Sequence, residues 1–276
     1  MHRNRLVEQI KEKRSYLCIG LDTDERKIPR HLQSSSKAVF EFNKQIIDAT
    51  KDLCVGYKIN TAFYEAMGMR GWEAMEQTVN YIPDTHFKIA DAKRGDIGNT
   101  SAQYARAFFE TMPFDAITVA PYMGEDSIRP FLDYDHKFTI VLGLTSNKGA
   151  TDFEMLKLTG NNNGGHDQLL YQKVIQTIST WGNPDNLMFV TGATQASQLK
   201  SIRELVPDYF LLVPGVGFQG GSLEEVSHHG MNKDIGLLVN ISRAIIYAGT
   251  GENFAEESRA IAMQYQSEMS RLINIK

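Results

Sequence analysis

Eight short apolar runs recur along the chain, at residues 16–22, 56–60, 86–93, 116–121, 137–144, 187–194, 209–217 and 236–242. They are rich in β-branched residues and nearly continuous in apolar character, the pattern of parallel strands buried on both faces. Helical periodicity fills the gaps. Val39, Phe42, Ile46, Ala49 and Leu53 fall on one helix face, as do Leu170, Val174, Ile178 and Trp181. Leu199, Ile202 and Val206 share a face of a shorter segment, and Phe254, Ile261, Tyr265 and Leu272 mark a final helix over 253–274. Strands alternating with helices imply βαβ units and a parallel sheet. Eight units, with no Gly-x-Gly-x-x-Gly after the first strand, favour an α/β closed (β/α)8 TIM barrel over an open doubly wound sheet.

Nothing in the chain reads as a linker, a repeat beyond the βα rhythm or a low-complexity tract, so residues 1–276 are expected to form a single barrel domain. One segment breaks the rhythm: 145–166 is long, ends in a Gly/Asn cluster and follows the fifth strand. A loop of this length inside a compact domain is either a functional lid or a tolerated surface insertion, and both readings stand.

Composition changes this picture little: 42% hydrophobic and 22% charged residues are globular values. The net charge of −4 and pI of about 6.0 speak against a nucleic-acid surface. No run approaches the ~20 apolar residues that span a bilayer, and the basic N-terminus lacks the apolar block of a secretory signal. Cys18 and Cys54, in apolar surroundings and far from a Cys-x-x-Cys spacing, fit buried free thiols in a reducing compartment. A cytoplasmic protein without membrane or nucleic-acid partners is the expectation.

Charge concentrates at one place. Asp91 and Lys93 lie two apart at the end of the third run and therefore on one side of a strand. Asp96 follows in a Gly-containing turn, and Thr100 stands near the start of the next helix as its cap or as a ligand contact. Charges at the end of an apolar strand are costly to desolvate unless paired, and the C-terminal mouth of a barrel is where its chemistry sits. A structural ion-pair network at the rim is the alternative. Asp22 at the end of the first run and Lys58 in the second converge on the same rim.

The seventh run leads into Val-Pro-Gly-Val-Gly-Phe-Gln-Gly-Gly at 213–221, the eighth into Ser242 and Arg243. Barrels often bind phosphate with these two loops. Glycines let backbone N–H groups approach an anion, Gln219 offers an amide, and the Arg243 guanidinium can fork onto phosphate oxygens.

Asp91-x-Lys93-x-x-Asp96, continued by Ile97 and Thr100, together with Asp22, Lys58, the Pro-Gly-Val-Gly-Phe-Gln-Gly-Gly loop and Ser242–Arg243 in this order, resembles the orotidine 5′-phosphate decarboxylases. The Lys-Arg-Gly inside the motif resembles the longer, type 2 bacterial branch. The likeness spans about residues 16–247. It implies a cofactor-free, metal-free decarboxylase in pyrimidine biosynthesis that converts orotidine 5′-monophosphate to uridine 5′-monophosphate and CO2. Lys93 would protonate C6 of the pyrimidine and Asp91 would sit against the departing carboxylate. Lys58 and Lys93 would alternate with Asp91 and Asp96. Asp96, Ile97 and Thr100 would serve the neighbouring subunit's site in a homodimer. Asp22 and Lys58 would hold the ribose hydroxyls, and Ser146 would contact the pyrimidine. Gln219 and Arg243 would bind phosphate under the closing loop, with Pro214, Gly220 and Ser242 completing the substrate contacts.

Two other readings remain at this point. A Mg2+-dependent hexulose-phosphate-synthase-like aldolase needs further acidic ligands at strand ends, and the second strand offers Lys58 and Asn60 instead. A non-catalytic nucleotide-binding barrel is open to any protein of this fold. The seven histidines show no ligand spacing. Arg94, between the motif residues, is expected to face away and play a structural part.

Overall fold

The computed structural model describes residues 1–159, 167–193, 196–217 and 221–274. Its strands are β1 (Leu17–Gly20), β2 (Gly56–Asn60), β3 (Phe87–Arg94), β4 (Ala116–Val119), β5 (Phe138–Leu144), β6 (Leu187–Thr191), β7 (Phe210–Pro214) and β8 (Leu237–Ile241). Each is parallel to its neighbours in chain order, and β8 pairs with β1 to close the barrel. All eight apolar runs contain one strand. The runs overshoot the strands because apolar character continues into the first loop residues; the end of the sixth run, Thr194, lies outside the described residues.

The strands are buried on both faces, inward against each other and outward under the helices, so nearly continuous apolar sequence is what burial demands. Inside the barrel, side chains stack in layers contributed by alternate strands. Following the register inward from β2 gives Lys58, Thr118 on β4, Val190 on β6 and Asn240 on β8 as one layer, with Gly20, Asp91, Leu142 and Pro214 above it. The apolar filling thus gives way to polar side chains only near the C-terminal mouth.

The helix Ala38–Thr50 buries Val39, Phe42 and Ile46 as the periodicity predicts, and Leu199, Ile202 and Val206 are all buried. Two expected faces are rotated. In Leu170–Ser179 the buried ridge is Tyr171, Ile175 and Ile178, with Val174 and Trp181 at its edge. In Phe254–Asn274 the buried side is Phe254, Ser258, Ala262 and Met269, while Ile261, Tyr265 and Leu272 are half-buried. Large apolar residues flank these contacts because small Ser258 and Ala262 let the helix approach closely.

The helix Arg3–Lys13 had no counterpart in the sequence reading. Its only apolar residues are Leu6, Val7 and Ile10, and all three are buried. Its ends tie to the N-terminal strand edges: the Met1 ammonium to Asp115, Arg3 to Asp234 at 2.9 Å, and Lys13 to the Cys54 carbonyl at 2.8 Å. It therefore covers the end of the barrel opposite the mouth.

The described part of segment 145–166, residues 145–159, is not a structureless loop. It carries a short 3-10 turn, Lys148–Asp152, and Lys157–Leu158 pairs antiparallel with Gln168–Leu169. Glu154 accepts hydrogen bonds from Thr145 N and Oγ1 at 2.7 and 2.8 Å. Residues 160–166 lie outside the described set. Both cysteines are buried and free, and burial pushes the Cys54 thiol up to about 11. Among the described residues no helix is long and apolar enough to cross a membrane.

Candidate active site at the barrel mouth

A cavity of about 190 Å³ opens at the C-terminal ends of the strands. Asp22, Lys58, Asp91, Lys93, Pro214, Ser242 and Arg243, all singled out from the sequence, line it. Their order around the mouth follows from the strands that carry them.

The charged side is a bonded chain. Lys58 Nζ donates to Asp22 Oδ1 at 3.3 Å and to Asp91 Oδ2 at 2.8 Å; Lys93 Nζ donates to Asp91 Oδ1 at 2.6 Å. Lys58 is 5% exposed and Asp91 11%, whereas Lys93 is 51% exposed and reaches into the opening. Burial alone would raise the Asp91 carboxyl, but the ammonium groups of Lys58 and Lys93 outweigh it and hold the group well below the usual carboxylate range. Burial likewise works against the Lys58 charge, and Asp22 and Asp91 overcome it and raise that ammonium above its ordinary value.

Local backbone explains how Lys93 is aimed. The β3–β4 register shifts between Ala90 and Arg94, and Lys93 sits at φ +46°, a left-handed conformation uncommon outside glycine. Such strain is found where surrounding bonds over-determine it. Here Lys93 N donates to Thr118 Oγ1 at 2.9 Å, and Thr118 Oγ1 donates in turn to Asp91 Oδ1 at 3.0 Å. Thr118 thus ties the strained turn to the carboxylate. It escaped the sequence reading, although a threonine in the middle of Ala-Ile-Thr-Val was a visible signal.

Asp96, Ile97 and Thr100 are not brought to this cavity. Asp96 Oδ1 accepts from the N–H of Ile97 at 2.8 Å, and Ile97 is 57% exposed. Thr100 is not the cap of its helix: Gly98–Arg106 begins after Ile97, which makes no side-chain cap. Arg94 faces away from the cavity. It pairs with Glu65, and its guanidinium lies over the rings of Tyr104 and Phe108 at 5.3 and 5.6 Å.

On the opposite side, Gly215 and Gly217 adopt φ +99° and +77° in the turn after β7, conformations that favour glycine. Gln219 and Gly220 lie outside the described residues. Ser146 does not line the cavity; it packs on Gly192, where an added Cβ would fall 2.7 Å from Ser146 Cβ. Leu142, Val190 and Leu212 form an apolar arc, and Asn60, Thr118, Asn240 and Ile241 are also part of the lining. Asn240, a polar residue inside the apolar run Leu-Leu-Val-Asn-Ile, was legible as an anomaly and was not singled out.

Asp22 and Asp91 converge on an ammonium, not on a space that a divalent cation would bridge. Among the described residues no group of three or more His, Cys, Asp or Glu side chains is placed to hold a metal ion.

Residues 15–258 match the model of the family described as "Orotidine 5'-phosphate decarboxylase / HUMPS family". The chain is 56% identical over 279 residues to an orotidine 5'-phosphate decarboxylase of Flavobacterium johnsoniae, covering 100% of both chains. It is 57% identical over 274 residues to the protein of the same name from Christiangramia forsetii, covering 98% of each. Among solved structures it is similar to the OMP decarboxylase of Leishmania donovani, with a TM-score of 0.83 at 34% identity over 98% of this chain and 97% of that one.

Proposed function

The chain belongs to the orotidine 5′-phosphate decarboxylase / HUMPS family, and we propose that it converts orotidine 5′-monophosphate to uridine 5′-monophosphate and CO2. The observation that carries the reading is the bonded chain Asp22–Lys58–Asp91–Lys93 at the mouth of the barrel.

Loss of CO2 from C6 of the pyrimidine leaves an electron pair that no adjacent group delocalises. A fixed positive charge at that point lowers the barrier, and Lys93 supplies it. The same ammonium then delivers a proton to C6, so the C–C bond electrons end in a C–H bond. Asp91, held ionised by its two lysines, stands against the substrate carboxylate and fixes the Lys93 Nζ. Asp22 and Lys58 take the ribose hydroxyls, and Ser146 approaches the pyrimidine when segment 145–166 closes as a lid. The phosphate sits between Arg243, Ser242 and the loop containing Pro214, Gln219 and Gly220. Its binding energy, remote from the reacting carbon, supports closure of the site.

The active unit in this proposal is a homodimer with shared sites. Asp96, Ile97 and Thr100 serve the neighbouring subunit, which is consistent with their lying outside their own cavity. The exposed apolar side chains of Ile97, Tyr122 and Met123 support the reading, and Met123 packs beside Gly95 at the motif turn. An exposed apolar cluster of this kind marks contact surfaces.

CO2 release from orotidine 5′-monophosphate in EDTA tests the activity. Wild type should turn over, while Lys93→Ala should lose about 10⁴-fold or more in kcat and still bind uridine 5′-monophosphate. Absence of CO2 release together with Mg2+-dependent aldol chemistry on a sugar phosphate would instead favour the aldolase, and nucleotide binding without either activity the non-catalytic barrel. For the shared site, Asp96→Asn and Lys93→Ala proteins, each inactive, should regain activity on mixing, since a mixed dimer contains one site with both residues. No recovery despite demonstrated subunit exchange removes the shared-site proposal.

A further inference from the structure

We infer that Asn240 is a specificity-determining contact, its side-chain oxygen accepting a hydrogen bond from a sugar hydroxyl of the bound nucleotide. The inference rests on the nucleotide reading above and adds a residue to it.

The inner layer of Lys58, Thr118, Val190 and Asn240 forms the floor of the cavity. Three of its members are settled by the protein itself. Lys58 bonds Asp22 and Asp91, Thr118 bonds Asp91, and Val190 has no polar atom. Asn240 is the exception. It is 7% exposed, and its Oδ1 is buried with no hydrogen-bond partner among the described residues. Buried amides in native proteins are almost always paired, so an orphan acceptor lining a ligand cavity marks a place where the ligand brings the donor.

No neighbour supplies that donor among the described residues: Ser242 Oγ, which lies near the same point beside Gly20, is itself buried and makes no hydrogen bond to it. Asn240 stands in register with Cys18 on β1 and Pro214 on β7. Proline donates nothing, and a thiol is a weak donor. Gly20, above Cys18, has no side chain, and the space it leaves is needed: a Cβ there would lie 3.2 Å from Asn240 Oδ1 and 2.7 Å from Ser242 Cβ. Asn240 lines the cavity, so a ligand bound there can bring the donor.

Position selects the ligand group. On one side of Asn240, toward the first and second strands, are Asp22 and Lys58; on the other is Gly215, and Arg243 follows three residues further along Asn240's own strand end, both in the phosphate-binding region of the proposal. A phosphate dianion offers acceptors only. Between phosphate and base, the donors of a ribonucleotide are its 2′ and 3′ hydroxyls. A site built to receive a hydroxyl discriminates strongly against an analogue lacking it, because its own polar atom is then left unpaired.

The test compares binding of uridine, 2′-deoxyuridine and 3′-deoxyuridine 5′-monophosphates by wild type, Asn240→Ala, Asn240→Leu and Asn240→Asp, alongside CO2 release by wild type. Thermal unfolding identifies variants that fold. In the Ala or Leu variant, preference for the ribonucleotide over one deoxy analogue should fall on the order of 10-fold. Asp, which keeps an acceptor at that position, should retain the preference even if overall affinity drops. Wild-type turnover with an unchanged preference in Ala and Leu, or with equal loss for all three nucleotides, overturns the Asn240 assignment and leaves the decarboxylase reading standing. A wild type that neither turns over nor binds uridine 5′-monophosphate overturns both.

Discussion

On the β1–β4 side of the mouth, the buried charges are bonded to one another before any ligand arrives: Asp22 to Lys58, Lys58 to Asp91, Asp91 to Lys93, with Thr118 bracing the last pair. On the β7–β8 side, two buried polar atoms, Asn240 Oδ1 and Ser242 Oγ, have no partner among the described residues. Charged groups are far more expensive to bury unpaired than neutral ones. The chain therefore completes its buried charged side during folding, and the buried polar atoms it leaves for the ligand to pair are neutral ones whose vacancy it can tolerate. In the proposed reaction this division also separates tasks: the self-bonded side presents a fixed charge pattern to the reacting carbon and holds ribose hydroxyls through Asp22 and Lys58, and the unfilled side recognises the phosphate and a further sugar contact.

The largest expected effect comes from breaking the self-bonded side at its centre. Asp91→Asn leaves Lys58 with Asp22 alone and frees Lys93, so it should abolish turnover and cost about 3 kcal/mol of stability at pH 7, in the range for breaking a buried pair. The pH dependence has a definite sign. The folded-state carboxyl lies well below the ordinary value near 4. Its contribution is therefore fully present above that ordinary value and is lost as pH falls through the depressed one. Denaturant midpoints should separate wild type from Asp91→Asn by the full amount at neutral pH, and the gap should narrow below about pH 4. A gap that stays constant into acid would show that the ion pairs are not what Asp91 contributes.

A middle-sized effect is expected across the mouth. Arg243→Ala removes a guanidinium from the proposed phosphate end without touching the charged chain. Charge-assisted bonds contribute about 1.5–3 kcal/mol, so kcat/KM should fall by roughly 10- to 100-fold or somewhat more. Acid stability should be that of wild type. If Arg243→Ala instead shifted the acid unfolding profile as Asp91→Asn does, the two sides would not be independent.

The same contrast explains what could be read from the sequence. All eight strands were visible because burial on both faces imposes continuous apolar runs, and Asp22, Lys58, Asp91 and Lys93 were visible because charge at the end of such a run is anomalous. Neutral side chains gave weaker signals. Thr118 and Asn240 became site residues only when register placed them in one layer with Lys58. Helix faces were legible where large residues make the contact, as with Phe42 and Ile46. They were misjudged where Ser258 and Ala262 make it, because periodicity counts apolar bulk rather than closeness of approach. The helix Arg3–Lys13 was hidden by its charged residues, several of which bind strand ends far away in sequence. Asp96 could be recognised by motif but not placed in a site by one chain's geometry.

The smallest expected effect tests whether Thr118 does more than fill its layer. Its hydroxyl accepts from Lys93 N and donates to Asp91 Oδ1, joining the left-handed residue to the carboxylate that holds its ammonium. Thr118→Val keeps shape and volume close to native but removes both bonds, each about 1 kcal/mol net. Lys93 should then relax from φ +46° and its Nζ should sample positions away from the reacting carbon. A small displacement of a catalytic group weakens the chemical step while leaving remote contacts in place. The expected outcome is a fall in kcat of about 5- to 30-fold with affinity for uridine 5′-monophosphate unchanged. A loss of affinity with kcat intact would mean that Thr118 touches the ligand directly, and the braced, self-bonded side would then extend less far around the mouth than the hydrogen bonds of the free protein suggest.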